Sequence, residues 1–306
     1  MKNLEQVRRY ADDPLVREAL RQALNVLRVD RDTATLDGFG GQGIIYRVST
    51  PDYKFPLSVK VPYYAHHRNN DVAEHSILKE ATVLSLAAPL DVHRVLPRYV
   101  GMSSQGRYLI REYINAPLLS ELLVGMPYDQ RKKLLRIEHR FARNVFELFH
   151  DSPYGCIVIR DFKPRNMLLD CKGHMTIIDY GSTRRETEMY GRPQTVAARH
   201  ELGSGKFRYR PPEQLNETPE VLSRTVDYFA YGTLLFYTLF GRHPFSNRCA
   251  DLRQAMAVYQ REYQDAEHDL AELAARDEMI RPWVRPILAA LDLDPRARVM
   301  LPVAED

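Results

Sequence analysis

Apolar positions divide the chain into stretches of different period. Over residues 1 to about 30, Leu4, Val7, Leu15, Val16, Ala19, Leu20, Ala23, Leu24 and Leu27 recur mostly at three- and four-residue spacings, which predicts helix. Pro14 suits the first turn of a second helical piece, with Asp12 or Asp13 as its N-cap. Such an extension either packs on the domain behind it or offers a surface to a partner. From about residue 33 to 62 the pattern changes. Glycines cluster at Gly38, Gly40, Gly41 and Gly43, and two β-rich runs follow, IIYRV and LSVKV, separated by a turn-like STPDYKFP. Residues 71–87 return to helical spacing, and residues 95–101 and 107–114 read as strands. Beyond them, 118–124, 129–150, 225–240, 251–275 and 280–291 carry helical periodicity, while 167–170 and 175–179 are short β-like pieces joined by a CKGH turn. There is no internal repeat or low-complexity segment. The pattern predicts an α+β chain, with a small β-rich lobe, a larger α-helical lobe and any active site in the cleft between them.

Composition narrows the function classes. The chain has 306 residues, 44% hydrophobic and 27% charged, which suits one or two soluble domains and excludes disorder or a collagen-like repeat. No run approaches the roughly 18 apolar residues of a membrane span, and the first residues lack an apolar signal core. The expected location is cytoplasmic. With 43 basic and 40 acidic residues, the charge balance gives no warrant for nucleic-acid or membrane binding. Cys156, Cys171 and Cys249 are too few and scattered for a disulfide framework or a zinc site, and read as reduced thiols. His66, His67 and His75 fall on a loop and a helix and read as solvated rather than metal-binding.

Candidate chemistry begins at the glycines. Gly38-Phe39-Gly40-Gly41-Gln42-Gly43-Ile44-Ile45 fits G-x-G-x-x-G-x-V with Ile for Val. Such a backbone can close on a phosphate chain without Cβ clashes, although a flexible turn has the same composition. A strand-like run follows instead of a helix, which argues against a dinucleotide-binding Rossmann start. Lys60 lies 22 positions after Gly38 inside a strand, and Glu80 on the next helix can hold its ammonium against a nucleotide's phosphates, with Glu74 as the fallback. The strongest segment is IRDFKPRN. Asp161 and Asn166 are five positions apart, as in the H-R-D-x-x-x-x-N catalytic loop. There the aspartate accepts or orients the proton of an attacking hydroxyl, the asparagine oxygen ligates magnesium, and Lys163 neutralises charge on the transferring phosphoryl group. Asp179, in Asp179-Tyr180-Gly181 at a strand end, offers a hard oxygen ligand for magnesium on the β- and γ-phosphates.

In this order and spacing the chain resembles the eukaryotic-type protein kinase family, from about Thr35 to Met300. The resemblance continues through Arg210-Pro211-Pro212-Glu213, similar to A-P-E, the Thr225–Gly232 helix, Gly241-Arg242-His243-Pro244-Phe245, and Asp294-Pro295-Arg296-Ala297-Arg298, which matches D-P-x-x-R. It implies a two-lobed kinase-like fold, with residues 1–32 as an extension, 33–114 as the N-lobe and 115–306 as the C-lobe. It also implies ATP and magnesium as cofactors. Catalysis would fall to Asp161, Lys163, Lys60 and Glu80. Gly38, Gly40, Gly41, Gly43, Ile45, Ser58, Lys60, Asn166 and Asp179 would hold the nucleotide, and Glu112 and Tyr113 would begin the adenine-contacting hinge through their backbones. Asn166 and Asp179 would hold the metal. Asp227 would brace the catalytic loop, Arg298 would pair with Glu213, and Arg160 would clamp a phosphorylated activation segment. That segment carries Ser182, Thr183, Thr187, Tyr190, Thr195 and Ser204 as acceptors that sequence does not rank. D-F-K-P-R-N is similar to the serine/threonine kinase form, so protein Ser or Thr hydroxyls are the expected substrate.

The chain departs from the family at several positions. Ile159 replaces the usual histidine, and Ser58 the usual alanine over adenine. Lys206 stands for the threonine of G-T-x-x-Y, which bears on peptide docking. Arg111 stands where an apolar residue is usual; it finds a carboxylate or snorkels to water, unless the register is displaced by one. The alternatives to a protein kinase are a kinase of the same fold acting on a small molecule or lipid-linked sugar, and a nucleotide-binding pseudokinase that docks partners.

Overall fold

Helical spacing near the N-terminus becomes helix α1 (Pro14–Leu27) in the computed structural model, which describes residues 10–39, 43–62, 70–186, 208–214, 223–246 and 252–303. Asp13 is the N-cap, its carboxylate accepting the Leu15 amide at 2.8 Å, and Pro14 takes the first helical position, where no amide hydrogen is needed. Arg28 ends the helix in the left-handed conformation, and the Val29 amide closes back on the Leu24 carbonyl at 3.1 Å.

The described residues fall into two units. The first runs to Ala116 and includes Thr176–Ser182. Its sheet contains β1 (Ala34–Phe39), β2 (Gly43–Val48), β3 (Leu57–Pro62), β4 (Tyr99–Met102) and β5 (Leu109–Glu112), in the antiparallel order β1-β2-β3-β5-β4. Helix α2 (Asn70–Ala87) connects β3 to the strands at the far edge. Every residue of β3 is buried, Lys60 included. Val16, Ala19, Leu20, Ala23, Leu24 and Leu27 of α1 share one apolar core with Val48, Leu57, Val59 and Ile110 of the sheet.

Strand β1 lacks a clear signal in the sequence because it contains Asp37 and Gly38, residue types depleted in strands. The register shows how they are accommodated. Leu36 opposes Tyr46 and Gly38 opposes Ile45, so Asp37 is an extra residue in a bulge. Gly43 begins β2 opposite Pro62, and a Cβ there would sit 2.7 Å from the Val61 carbonyl oxygen, so only glycine allows these backbones to approach.

The second unit, from Pro117 to Met175 and from Thr183 onward, is mainly helical. It contains α3 (Leu119–Leu122), α4 (Tyr128–His150), β6 (Ile157–Val158), β7 (Met167–Leu169), β9 (Arg184–Arg185), α5 (Thr225–Phe240), α6 (Leu252–Arg276) and α7 (Arg281–Leu291), while β8 (Met175–Ile177) begins at its last residue before the crossing point. The CKGH turn is closed by Asp170, whose carboxylate accepts the Lys172 and His174 amides at 2.8 and 2.9 Å. Strand β6 pairs with β9 through two residues, too few to show a period. Helix α5 is apolar on nearly all sides and is buried. Gly232 lets α7 approach it, since a Cβ there would lie 2.9 Å from that of Ala290. The α+β organisation expected from sequence, a small β-rich lobe and a larger α-helical one, is the one observed.

Glu138 on α4 is fully buried in the second unit. One carboxyl oxygen accepts the Thr238 hydroxyl at 2.7 Å, and the other has no hydrogen-bond partner among the described residues. Burial pushes its pKa up to about 8, against the smaller opposing effect of Thr238. The folded chain therefore keeps this proton up to about pH 8, whereas the unfolded chain releases it near the ordinary value of 4.5. Stability from this group is complete below that lower value and falls as pH rises through the upper one, by roughly 5 kcal/mol in all. Glu138→Gln is expected to flatten that slope and to be more stable than wild type at pH 9. Chemical denaturation at pH 5, 7 and 9 checks this; parallel slopes for the two proteins would reject it.

Candidate active site

Strand β3 aims Lys60 into the first unit, where it is 4% exposed. Its ammonium forms an ion pair with Glu80 of α2, a carboxylate with no exposed surface. Glu80, and not Glu74, therefore meets Lys60; Glu74 lies 3.8 Å from Arg107 instead. The other Glu80 oxygen accepts Arg111 Nη1 at 2.9 Å. Arg111 is 4% exposed on β5, opposite Ser58 of β3, and the same nitrogen donates to the Ile178 carbonyl at 2.5 Å. Of the outcomes open from sequence, the carboxylate partner is the one found. Asp179 follows Ile178, with Oδ1 4.0 Å from Lys60 Nζ and accepting the Gly181 amide at 3.1 Å. The Ile177 amide donates to the Val95 carbonyl at 2.9 Å, fixing the start of this segment. Tyr180 is fully buried beside it and its hydroxyl donates to the Ile177 carbonyl.

The remaining nucleotide candidates of this unit line β1, β2, β3 and β5. Gly38 pairs with Ile45, which in turn faces Lys60, and Ser58 is buried. Gly40 and Gly41 lie outside the described residues, as do His66, His67, Thr187, Tyr190, Thr195, Ser204 and Lys206. The amides of Glu112 and Tyr113 are used within the chain, by the Arg98 and Pro56 carbonyls at 2.9 and 2.8 Å. The Tyr113 hydroxyl donates to the bulged Asp37 at 2.8 Å.

The second unit carries the other polar group. Lys163 Nζ donates to both oxygens of Asp161, at 2.6 and 2.7 Å. Asn166 Nδ2 donates to the Asp161 backbone oxygen and to its Oδ2, each at 2.9 Å. That leaves the Asn166 amide oxygen, and in the first unit the Asp179 carboxylate is likewise a hard oxygen donor; each is of the kind magnesium takes beside phosphates and water. Phe162 is fully buried among Phe141 and Phe146, at ring distances of 6.1 and 5.2 Å, and so pins the loop one residue after Asp161.

The loop's entry is held by Asp227 on α5. This buried carboxylate accepts the Ile159 and Arg160 amides, both at 2.7 Å, and lies 2.9 Å from His150 Nε2. Arg160 takes a φ of 65°, a conformation disfavoured for a residue with a side chain. Burial, with Arg184 and Arg210 adding like charge nearby, lowers its pKa to about 10.

Over residues 34–302 the chain matches the family model described as a protein kinase domain. The chain belongs to the protein kinase family. Relatives of this protein kinase include a probable LRR receptor-like serine/threonine-protein kinase of Arabidopsis thaliana, 30% identical over 237 residues, covering 72% of this chain and 20% of the relative. Receptor-interacting serine/threonine-protein kinase 4 of Mus musculus is 27% identical over 227 residues, covering 72% of this chain and 26% of the relative. Serine/threonine-protein kinase Sgk1 of Rattus norvegicus is 37% identical over 92 residues, 30% of this chain and 19% of the relative. The chain thus spans a fifth to a quarter of the length of the first two.

Two features of this site were beyond sequence reasoning. Sequence offered Arg111 a carboxylate or water but named neither partner; its double role toward Glu80 and Ile178 depends on tertiary contacts across 31 and 67 positions. The His150 contact with Asp227 had no signal, since a histidine at the end of a helix is common.

Proposed function

We propose that this chain is a serine/threonine protein kinase that transfers the γ-phosphate of ATP to protein hydroxyls. The observation that carries the reading is the Asp161 cluster, an aspartate held at both oxygens by Lys163 and at one by Asn166. The relatives above, each named as a serine/threonine-protein kinase, support the substrate class. The reading divides the chain into an extension at 1–32, an N-lobe at 33–114 and a C-lobe at 115–306.

In the proposed reaction, Lys60 grips the α- and β-phosphates and Glu80 holds its ammonium in place. The glycine segment from Gly38 to Gly43 covers the triphosphate, with Ile45 and Ser58 toward the base. Asp161 orients the acceptor hydroxyl and takes its proton, while Lys163 offsets charge gathering on the phosphoryl group. Magnesium, held by Asn166 and Asp179, would neutralise phosphate charge. Most of the acceleration would be positioning and electrostatics.

The test is incubation of the purified chain with γ-labelled ATP, magnesium and a generic basic protein, followed by acid hydrolysis to phosphoamino acids. Label on serine or threonine is expected. Label confined to tyrosine would overturn the substrate class. ATP bound without any transfer would favour a pseudokinase, and consumption of ATP only with a metabolite extract a small-molecule kinase.

A further inference from the structure

We infer that Arg111 is a positioning residue that clips helix α2 to the backbone entering Asp179, so that Lys60 and Asp179 are set as one body. The inference rests on the proposed function for its kinetic consequence, but its structural part stands alone.

Three elements of the first unit meet at this guanidinium. Strand β5 supplies Arg111, helix α2 supplies Glu80, and the segment after β8 supplies the Ile178 carbonyl. The side chains of Lys60, Arg111 and Glu80 are 5%, 5% and 0% exposed. With Asp179 at 4.0 Å from Lys60, two cations face two carboxylates. Lys60 and Arg111 each hold a different oxygen of Glu80, so Glu80 is anchored from both sides rather than swinging with Lys60.

A guanidinium suits this task better than an ammonium. It is planar, carries five donors in a rigid fork and loses little freedom on binding two acceptors. Here one nitrogen spans a carboxylate and a carbonyl that belong to different elements, at 2.9 and 2.5 Å. An apolar residue of similar length would fill the same space without joining them. The Ile178 carbonyl would then lose a buried donor, and the next residue is the proposed phosphate-side ligand Asp179.

Two measurements on the full chain test this, with Arg111→Met and Arg111→Lys. In hydrogen exchange, Arg111→Met should speed exchange in residues 176–182 at least tenfold, with Arg111→Lys between it and wild type. In steady-state phosphoryl transfer, Arg111→Met should lower kcat about tenfold or more while the KM for ATP stays within about threefold, because a misplaced group costs the transition state more than the ground state. Arg111→Lys should recover part of kcat. Unchanged exchange in residues 176–182 would overturn the clip, and so would a kcat equal to wild type. A rise in KM alone would make Arg111 a binding residue and also overturn it. If the wild-type chain transfers no phosphate, the functional reading has failed, and the exchange result still decides whether Arg111 joins the two elements.

Discussion

Asp161→Ala is expected to slow phosphoryl transfer by roughly 10²–10⁴-fold, the range general base catalysis supplies, and to leave ATP affinity nearly unchanged. The aspartate's contacts argue for both halves of this expectation. Its carboxylate is bound by Lys163 and Asn166, both on its own loop, and the loop itself is fixed independently. Phe162 is buried immediately after it, and Asp227 holds the amides of Ile159 and Arg160 immediately before. The backbone should therefore stay in place when the side chain is shortened. The ammonium proposed to grip the nucleotide is secured elsewhere, by Glu80. Single-turnover transfer beside equilibrium nucleotide binding separates the effects. Equal transfer rates in variant and wild type would remove Asp161 from its proposed role, and a parallel loss of nucleotide binding would place it in binding instead.

Arg298→Met is expected to destabilise the second unit by about 3–5 kcal/mol, the cost of leaving one member of a buried ion pair behind. Arg298 is 1% exposed. It donates to both Glu213 oxygens, at 2.5 and 3.2 Å, and to the Asp292 and Thr225 carbonyls at 2.8 and 3.2 Å. Its guanidinium also lies 5.0 Å from the centre of the Phe229 ring. Methionine can fill much of the same buried space but leaves the Glu213 carboxylate and two carbonyls without these donors. The double variant Arg298→Met with Glu213→Leu should regain part of the loss, because the stranded charge goes with its partner. Denaturant unfolding of the two single variants and the double one gives the coupling. A loss under about 1 kcal/mol in Arg298→Met would show that the pair is effectively solvated.

Long periodic segments were legible in the sequence because burial of one face fixes their period. The 225–240 reading coincides with α5, and 129–150 differs from α4 by one residue. Shorter elements carry too few residues for a period. The two-residue strands at Ile157 and Arg184 form only because their chains meet in three dimensions. Strand β1 was hidden by a bulged aspartate. At the site, local spacing named Lys60, Asp161, Lys163, Asn166 and Asp179, since groups on one loop or at one strand end keep fixed separations. Sequence also placed Glu80 ahead of Glu74 as the partner of Lys60, and the structure pairs Lys60 with Glu80. The fate of Arg111 needed partners on two other elements, which no spacing rule encodes.

Helix α1 ends before residue 34, where the match to the kinase domain begins. Its six buried side chains nevertheless belong to the same core as Val48, Leu57, Val59 and Ile110. A polypeptide trimmed to the limits of homology would thus leave a greasy sheet face wet, a surface prone to self-association. For recombinant work, the smallest well-behaved fragment should begin ahead of Asp13. In the evolution of this chain, changes on the inner face of α1 should be tolerated only when the strands beneath it change in step.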